Sequence, residues 1–343
     1  MEFYDENGLF SGAMLVAENG TIIYEDAFGW ANLEWGIPNT VDTKYRIASA
    51  TKHFTAVLVM QQVEKGRLQL DGKVSDYLPD YPERNGTQIT IHHLLTHSAG
   101  IIDYEHLLGD LSHGGTINIG GFTLQVTDLE ELPDFYSIGR LSHTREDLLD
   151  HFAEKDLLFT PGSQSRYSNF GYVLLAIILE EVTGQSYQEL LQEGILDPAG
   201  MKETGVDVTS SILERRASGY VHKPLTGPEN IYVDMSLFLG SGCLYSTVED
   251  LFLFYEALFA GKLLPDESLD RMMSSCYLGC PIEFPYEDGP LNALGLSGAI
   301  ISFNSNVRRL TGGNGVQFIA ILSNYNNPEG VQIWPVYSET IAR

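Results

Sequence analysis

Residues Gly12 to Ala31, GAMLVAENGTIIYEDAFGWA, carry two apolar runs on either side of Asn19-Gly20. That dipeptide accepts positive φ at both turn positions, so the chain opens on a predicted strand hairpin. From Tyr45 the pattern changes period. Phe54, Val57, Leu58, Gln61 and Val63 recur at roughly helical spacing, which predicts an apolar-faced helix ended by Gly66. Leu68 to Tyr81 reads as loop, and Thr87 to Gly100 as a short helix closed by Gly100. Gly109 to Pro133 is polar, irregular and rich in glycine, a long loop or insertion of the kind that often covers a site. Thr144 to Leu158 is helical in pattern and stops before the turn Thr160-Pro161-Gly162. A strongly apolar helix, Phe170 to Val182, follows and stops at Gly184, with a second helix running through Gln192. Ser246 to Glu249 reads as a capping box that opens a helix through Phe259. The end returns to strands: SGAIISFNSNVRRL, a glycine turn at Thr311 to Gly315, then VQFIAILSN as an antiparallel hairpin.

Strands at both ends around a helical middle predict an α+β fold, an antiparallel sheet flanked by helices with an inserted mainly helical domain. The expected division is a discontinuous sheet domain of residues 1–75 plus 235–343 and an inserted domain of residues 76–234. The active-site cleft is expected between the two, where small-molecule sites tend to form.

Composition narrows the partners. The chain has 343 residues, 43% of them hydrophobic, and a formal charge of -26 from 46 acidic and 20 basic side chains. Nucleic acid and anionic membrane surfaces both require basic patches, so neither is expected as a partner; a small molecule or peptide is. No stretch is long enough to span a membrane. The start, MEFYDENGLFSG, lacks a basic, apolar leader, so the expectation is a cytoplasmic chain, or an exported one if this is a processed fragment. The cysteines are Cys243, Cys276 and Cys280, an odd number that gives no disulfide framework; Cys276 and Cys280 could pair or share a metal, but no second Cys/His pair supports a zinc site, and buried thiols are the preferred reading. His92, His93 and His97 lack a further ligand at a recognisable spacing, so no metal is expected and their roles read as structural.

The chemistry lies in Ser49-Ala50-Thr51-Lys52 at the start of the first helix. A serine there meets unpaired backbone N–H groups and the positive end of the helix dipole. Lys52 lies one turn on, within reach of the hydroxyl. Serine is a weak nucleophile without a base, and a lysine whose pKa is lowered by burial and cationic neighbours can serve as one. Serine is also a common N-cap, so the tetrapeptide alone is a weak sign. Tyr167-Ser168-Asn169, after the Pro161-Gly162 turn, supplies a candidate proton carrier and an amide on the same side of an extended segment.

SATK at Ser49, YSN at Tyr167 and the hairpin context resemble the serine β-lactamase and penicillin-binding-protein superfamily. The class C-like serine hydrolases, which include D-alanyl-D-alanine carboxypeptidases, D-aminopeptidases and family VIII esterases, are the most similar branch. FSGAMLVAENG, LLTHSAGI, LLFTPGSQSRYSNFGYVLLAIILEEVTG, GCLYSTVEDL and FIAILSN are similar to stretches of that family. The resemblance implies a β-lactamase/transpeptidase-like fold and an acyl-enzyme mechanism without a cofactor. Ser49 would attack a carbonyl, Lys52 and Tyr167 would move its proton, and Asn169 would orient the substrate. By the same analogy the oxyanion would sit between the backbone N–H groups of Ser49 and Ala299.

The third motif departs from the family pattern. Where the family has Lys-Thr-Gly or His-x-Gly, this chain has Leu296-Ser297-Gly298. A leucine cannot pair with a substrate carboxylate, nor help depress Lys52 through a positive charge. The expectation is therefore an ester or D-amino-acid amide substrate. β-Lactamase or penicillin-binding D,D-peptidase chemistry is one alternative, and a catalytically impaired binding relative is another. Arg308 or Arg309 offers a substitute charge from further along the strand.

Overall fold

The computed structural model describes residues 10–103, 116–119, 122–125, 139–223, 227–230, 232–279, 282–284, 291–295, 297–300, 302–311 and 316–326. The opening hairpin forms as its pattern predicts. Strands β1 (Gly12–Glu18) and β2 (Thr21–Phe28) pair antiparallel across Asn19 and Gly20, which hold φ of 49° and 73°. β1 is buried on both faces, which explains why its apolar run does not alternate.

Helix α1 (Thr51–Glu64) is buried on nearly every side rather than along one face. Its polar residues are matched internally: Thr55 donates to the Gly240 carbonyl at 2.6 Å, and His53 Nδ1 meets the Tyr255 hydroxyl at 2.6 Å. Helix α2 (Ile91–Leu95) is shorter than the Thr87 to Gly100 pattern predicts. Thr90 caps it by accepting from the His93 N–H at 3.2 Å, and His97 ends the segment with a left-handed φ of 56°. The Thr144 to Leu158 pattern likewise reduces to a helix over Arg145–Phe152, capped by Thr144. Helix α3 (Asn169–Thr183) is capped by Ser168 and buried from Phe170 to Leu179. Helix α4 (Val248–Phe259) is capped by Thr247, which accepts from the Asp250 N–H, one residue later than the capping box predicts.

The C-terminal strands are β3 (Ile282–Phe284), β4 (Leu291–Leu294), β5 (Ser297–Ile300), β6 (Phe303–Thr311) and β7 (Val316–Ser323). What reads in sequence as one strand from Ser297 to Leu310 is two antiparallel strands, β5 and β6, with Ala299 opposite Asn304. The turn between them contains neither glycine nor proline, so composition marks it only weakly. The sheet runs β3-β4-β6-β7-β1-β2, with β5 also on β6 and every pairing antiparallel. Its middle joins both ends of the chain: Leu15 on β1 lies opposite Ala320 on β7.

α4 packs on β1 and β7, while α1 packs against α3. Phe254 of α4 stacks on Phe54 of α1 at 4.0 Å between centroids, and Phe252 and Tyr255 meet Phe318 of β7. Removing either stacked ring would cost about 3–5 kcal/mol and loosen the helix that carries Ser49 and Lys52. Within Gly109 to Pro133, the described residues Thr116–Ile119 and Phe122–Gln125 form a two-stranded ribbon. Cys243 is a buried free thiol, whereas Cys276 is disulfide-bonded, so the buried-thiol reading fails for Cys276. Among the described residues, no helix is long and apolar enough to cross a membrane.

Candidate active site

Ser49 lies in a short helical turn, Ala48–Ala50, that leads directly into α1. Ala48, just before it, is buried and holds a left-handed φ of 47°, a conformation an L-residue adopts at a cost of order 1 kcal/mol. The turn is pinned from the sheet side: Ser305 on β6 donates to the Ile47 carbonyl at 2.6 Å. β5 lies still closer. A Cβ on Gly298 would fall 2.3 Å from the Ile47 carbonyl oxygen and 2.8 Å from the Ser49 nitrogen, so only glycine fits.

The Ser49 hydroxyl is 2.7 Å from the Tyr167 hydroxyl and 3.3 Å from Lys52 Nζ. Lys52 is 2% exposed and donates to Asn169 Oδ1 at 2.8 Å and to the Ser241 carbonyl at 2.7 Å. Both of those partners only accept, so they take two N–H bonds. In a neutral amine this leaves the lone pair facing Ser49. Burial pushes the Lys52 pKa down to about 7, opposed by the negative charge of Asp103. The sequence-based expectation of help from cationic neighbours is thus corrected: removal from water lowers this lysine, and the neighbouring charge works against it. The rings of Tyr167 and Tyr172 lie 4.8 and 5.5 Å from Nζ and favour whatever ammonium forms.

Asn169 is oriented by Asp103. One Asp103 oxygen accepts from both the backbone N–H and the Nδ2 of Asn169, at 2.9 and 3.0 Å. The amide oxygen is thereby turned toward Lys52. Tyr167 is 38% exposed as a residue, and its hydroxyl meets that of Ser49. Burial of that hydroxyl raises its pKa well above the usual tyrosine range, only partly offset by the bond from Ser49. Tyr167 is therefore a neutral phenol at neutral pH, and the group able to take the Ser49 proton is Lys52.

A β-lactamase family model matches residues 2–279 of the chain. The chain belongs to the β-lactamase family. It is 30% identical to a penicillin-binding protein of Bacillus subtilis over 287 residues, 80% of this chain and 57% of that one. It is 34% identical to an esterase of Burkholderia gladioli over 205 residues, 58% of this chain and 48% of that one. The chain thus spans about half the length of these curated relatives. Among solved structures, a penicillin-binding protein from Bacillus halodurans superposes with a TM-score of 0.75 at 24% identity, covering 99% of this chain and 98% of its own. A D-amino acid amidase from Ochrobactrum anthropi gives a TM-score of 0.75 at 23% identity, covering 99% and 95%. The fold is that of the β-lactamase/transpeptidase group.

In this β-lactamase-family chain the structure brings together Ser49, Lys52, Tyr167 and Asn169, with Gly298 and Ala299 on the adjoining strand. Leu296 lies outside the described residues. Ser297 accepts a hydrogen bond at 2.8 Å from the guanidinium of Arg308, which is 7% exposed and reaches across from β6. A cation therefore stands beside the third motif although the motif itself carries leucine. Sequence reasoning missed Asp103, which follows the LLTHSAGI stretch, and read His97 only as one of three structural histidines. The His97 ring lies tilted against that of Tyr167 with centroids 4.5 Å apart, and its Nδ1 accepts from the Ser168 N–H at 3.2 Å. Among the described residues, no group of three or more histidine, cysteine, aspartate or glutamate side chains could hold a metal ion.

Proposed function

We propose that this chain is a serine hydrolase that forms an acyl-enzyme through Ser49 on an ester or D-amino-acid amide. The observation that carries the reading is Lys52, with a pKa near 7, held 3.3 Å from a hydroxyl that also bonds Tyr167 at 2.7 Å. A binding module has no need of a buried, half-deprotonated lysine against a serine. In the proposed reaction Ser49 Oγ attacks the substrate carbonyl while Lys52 takes its proton. The oxyanion then sits between the backbone N–H groups of Ser49 and Ala299, each such donor contributing on the order of 3 kcal/mol to transition-state stabilisation. The Tyr167 phenol gives its O–H proton to the leaving alkoxide or amine as the C–O or C–N bond breaks, and the ammonium of Lys52 restores the proton to the phenolate. Water then enters by the same route in reverse and releases the acid. Side chains and backbone carry every proton and charge, so the scheme calls for no metal or organic cofactor.

The relatives' names support this substrate range, since they include an esterase and a D-amino acid amidase. A second reading, β-lactamase or D,D-peptidase chemistry, is favoured by Arg308 at Ser297, which offers a positive charge to a substrate carboxylate. We also propose the division into residues 1–75 plus 235–343 and residues 76–234. It places Ser49 and Lys52 on one domain and Tyr167 and Asn169 on the other, with the cleft between. The test is turnover of a panel of p-nitrophenyl acyl esters, D-amino-acid amides and a chromogenic cephalosporin. Ester or amide turnover that Ser49→Ala abolishes supports the reading. Turnover of the cephalosporin alone favours the second, and ester turnover surviving Ser49→Ala overturns both.

A further inference from the structure

His97 grips three consecutive residues of the segment that presents Tyr167, each through a different group. Its carbonyl accepts from the Arg166 N–H at 2.8 Å, and its Nδ1 accepts from the Ser168 N–H at 3.2 Å. Its ring lies against the Tyr167 ring at 4.5 Å and 34°. On its other contact the same ring meets Tyr172 at 5.2 Å, and Tyr172 is itself tied to α2 through the Leu95 carbonyl. The grip continues outward, with Ser165 donating to the Thr96 carbonyl and the Gly162 N–H to the Ser98 carbonyl. To do this His97 holds a left-handed φ of 56°, a conformation uncommon outside glycine that histidine, like asparagine, enters more readily than most residues.

We propose that His97 is a positioning residue for catalysis, a neutral imidazole platform that fixes the Tyr167 hydroxyl between Ser49 and the leaving group. A packing phenylalanine would supply the ring contact but no acceptor for Ser168, and a protonated imidazole would set an N–H against that N–H. Burial, followed by the charge of Lys52, pushes the His97 pKa down to about 3, so the acceptor stays available at working pH. The segment after the Pro161-Gly162 turn has no regular secondary structure before α3, so His97 supplies what a helix or strand would otherwise give Tyr167.

The inference rests on the proposed role of Tyr167, and a double-mutant cycle separates the two. His97→Asn retains the backbone carbonyl, an acceptor oxygen and a residue type that tolerates positive φ, while removing the ring. The assay is turnover of an unactivated alkyl ester or D-amino-acid amide, whose leaving group needs the proton that Tyr167 delivers, so that the Tyr167 step shows in kcat. The expected result is a roughly tenfold loss of kcat for His97→Asn with KM changed less than about threefold, and a loss under about twofold when Tyr167 is already phenylalanine. An equal loss in both backgrounds overturns the inference while leaving the Tyr167 reading intact. Unchanged turnover in Tyr167→Phe alone overturns the reading of Tyr167 and this inference with it. If His97→Asn does not accumulate folded, His97→Gly, which adopts the same φ without strain, completes the cycle with the same criteria.

Discussion

Replacing Asp103 by asparagine tests how the lysine is set. Asp103 reaches Lys52 through one amide, with Asn169 bonded to Asp103 at 3.0 Å and to Lys52 at 2.8 Å. The two charges are therefore roughly 7 Å apart, and at an effective dielectric of about 20 they attract by about 2 kcal/mol. That corresponds to between about 1 and 2 pKa units, the amount by which Asp103 holds Lys52 up against burial. Asp103→Asn keeps an oxygen for the two Asn169 N–H groups and removes the charge. The ammonium form of Lys52 loses its counter-ion, so its pKa must fall from about 7. The assay is the rate of Ser49 acylation by an activated ester across the pH range. In the wild type the rate should rise through the Lys52 titration and level off above it. In Asp103→Asn that acid limb should move about 1 to 2 units toward lower pH, with a lower plateau because a weaker base remains. A limb that stays in place, or moves to higher pH, would refute the view that Lys52 is the base and that Asp103 tunes it.

Lys52→Met should abolish acylation and stabilise the fold near neutral pH. The folded chain holds Lys52 at about 7 whereas an unfolded lysine titrates near 10.5, so between those values the unfolded state binds more protons and stability rises with pH. Below that window the cost of the charged lysine, on the order of 5 kcal/mol, is fully present. Thermal melts at two pH values, one on each side of the window, should show a wild-type rise that Lys52→Met lacks. Gly298→Ala should lower kcat by about tenfold or more and lower Tm by several degrees, because the added methyl enters the space of the Ile47 carbonyl and the Ser49 amide. Leu296→Lys should raise turnover of carboxylate-bearing substrates relative to neutral esters; an unchanged ratio would mean that Arg308 already supplies the charge.

Much of the frame was legible because local chemistry agreed with it. Asn19-Gly20 named its hairpin, and the apolar stretch from Phe170 named its helix. Ser49 and Lys52 were within reach of each other by helical spacing alone. Tyr167 and Asn169 were not, since more than a hundred residues intervene, and only the family resemblance put them beside Ser49. The β5–β6 turn stayed hidden because Ile300 to Phe303 offers neither glycine nor proline, and Ser302 alone among apolar residues is a weak cue. Asp103 and His97 stayed hidden for a different reason. Their value lies in the partners they meet, with Asp103 buried and His97 half-buried, and such a residue looks in sequence like one destined for solvent. At the third motif the sequence offered Arg308 or Arg309 as the substitute charge without choosing between them, and the fold of β5 back onto β6 is what brings Arg308 to Ser297.

The most direct test of Ser49 as the acylated nucleophile is the intact mass of the protein after incubation with a fluorophosphonate. One adduct per chain on the wild type, located at Ser49 by peptide mapping and lost in Ser49→Ala, is the expected result. A parallel incubation with a penicillin then separates an esterase-like hydrolase, which keeps no stable penicilloyl adduct, from a penicillin-binding protein, which does. Fluorophosphonate labelling that persists in Ser49→Ala, or a wild type that takes no adduct from either reagent, would contradict the proposed function.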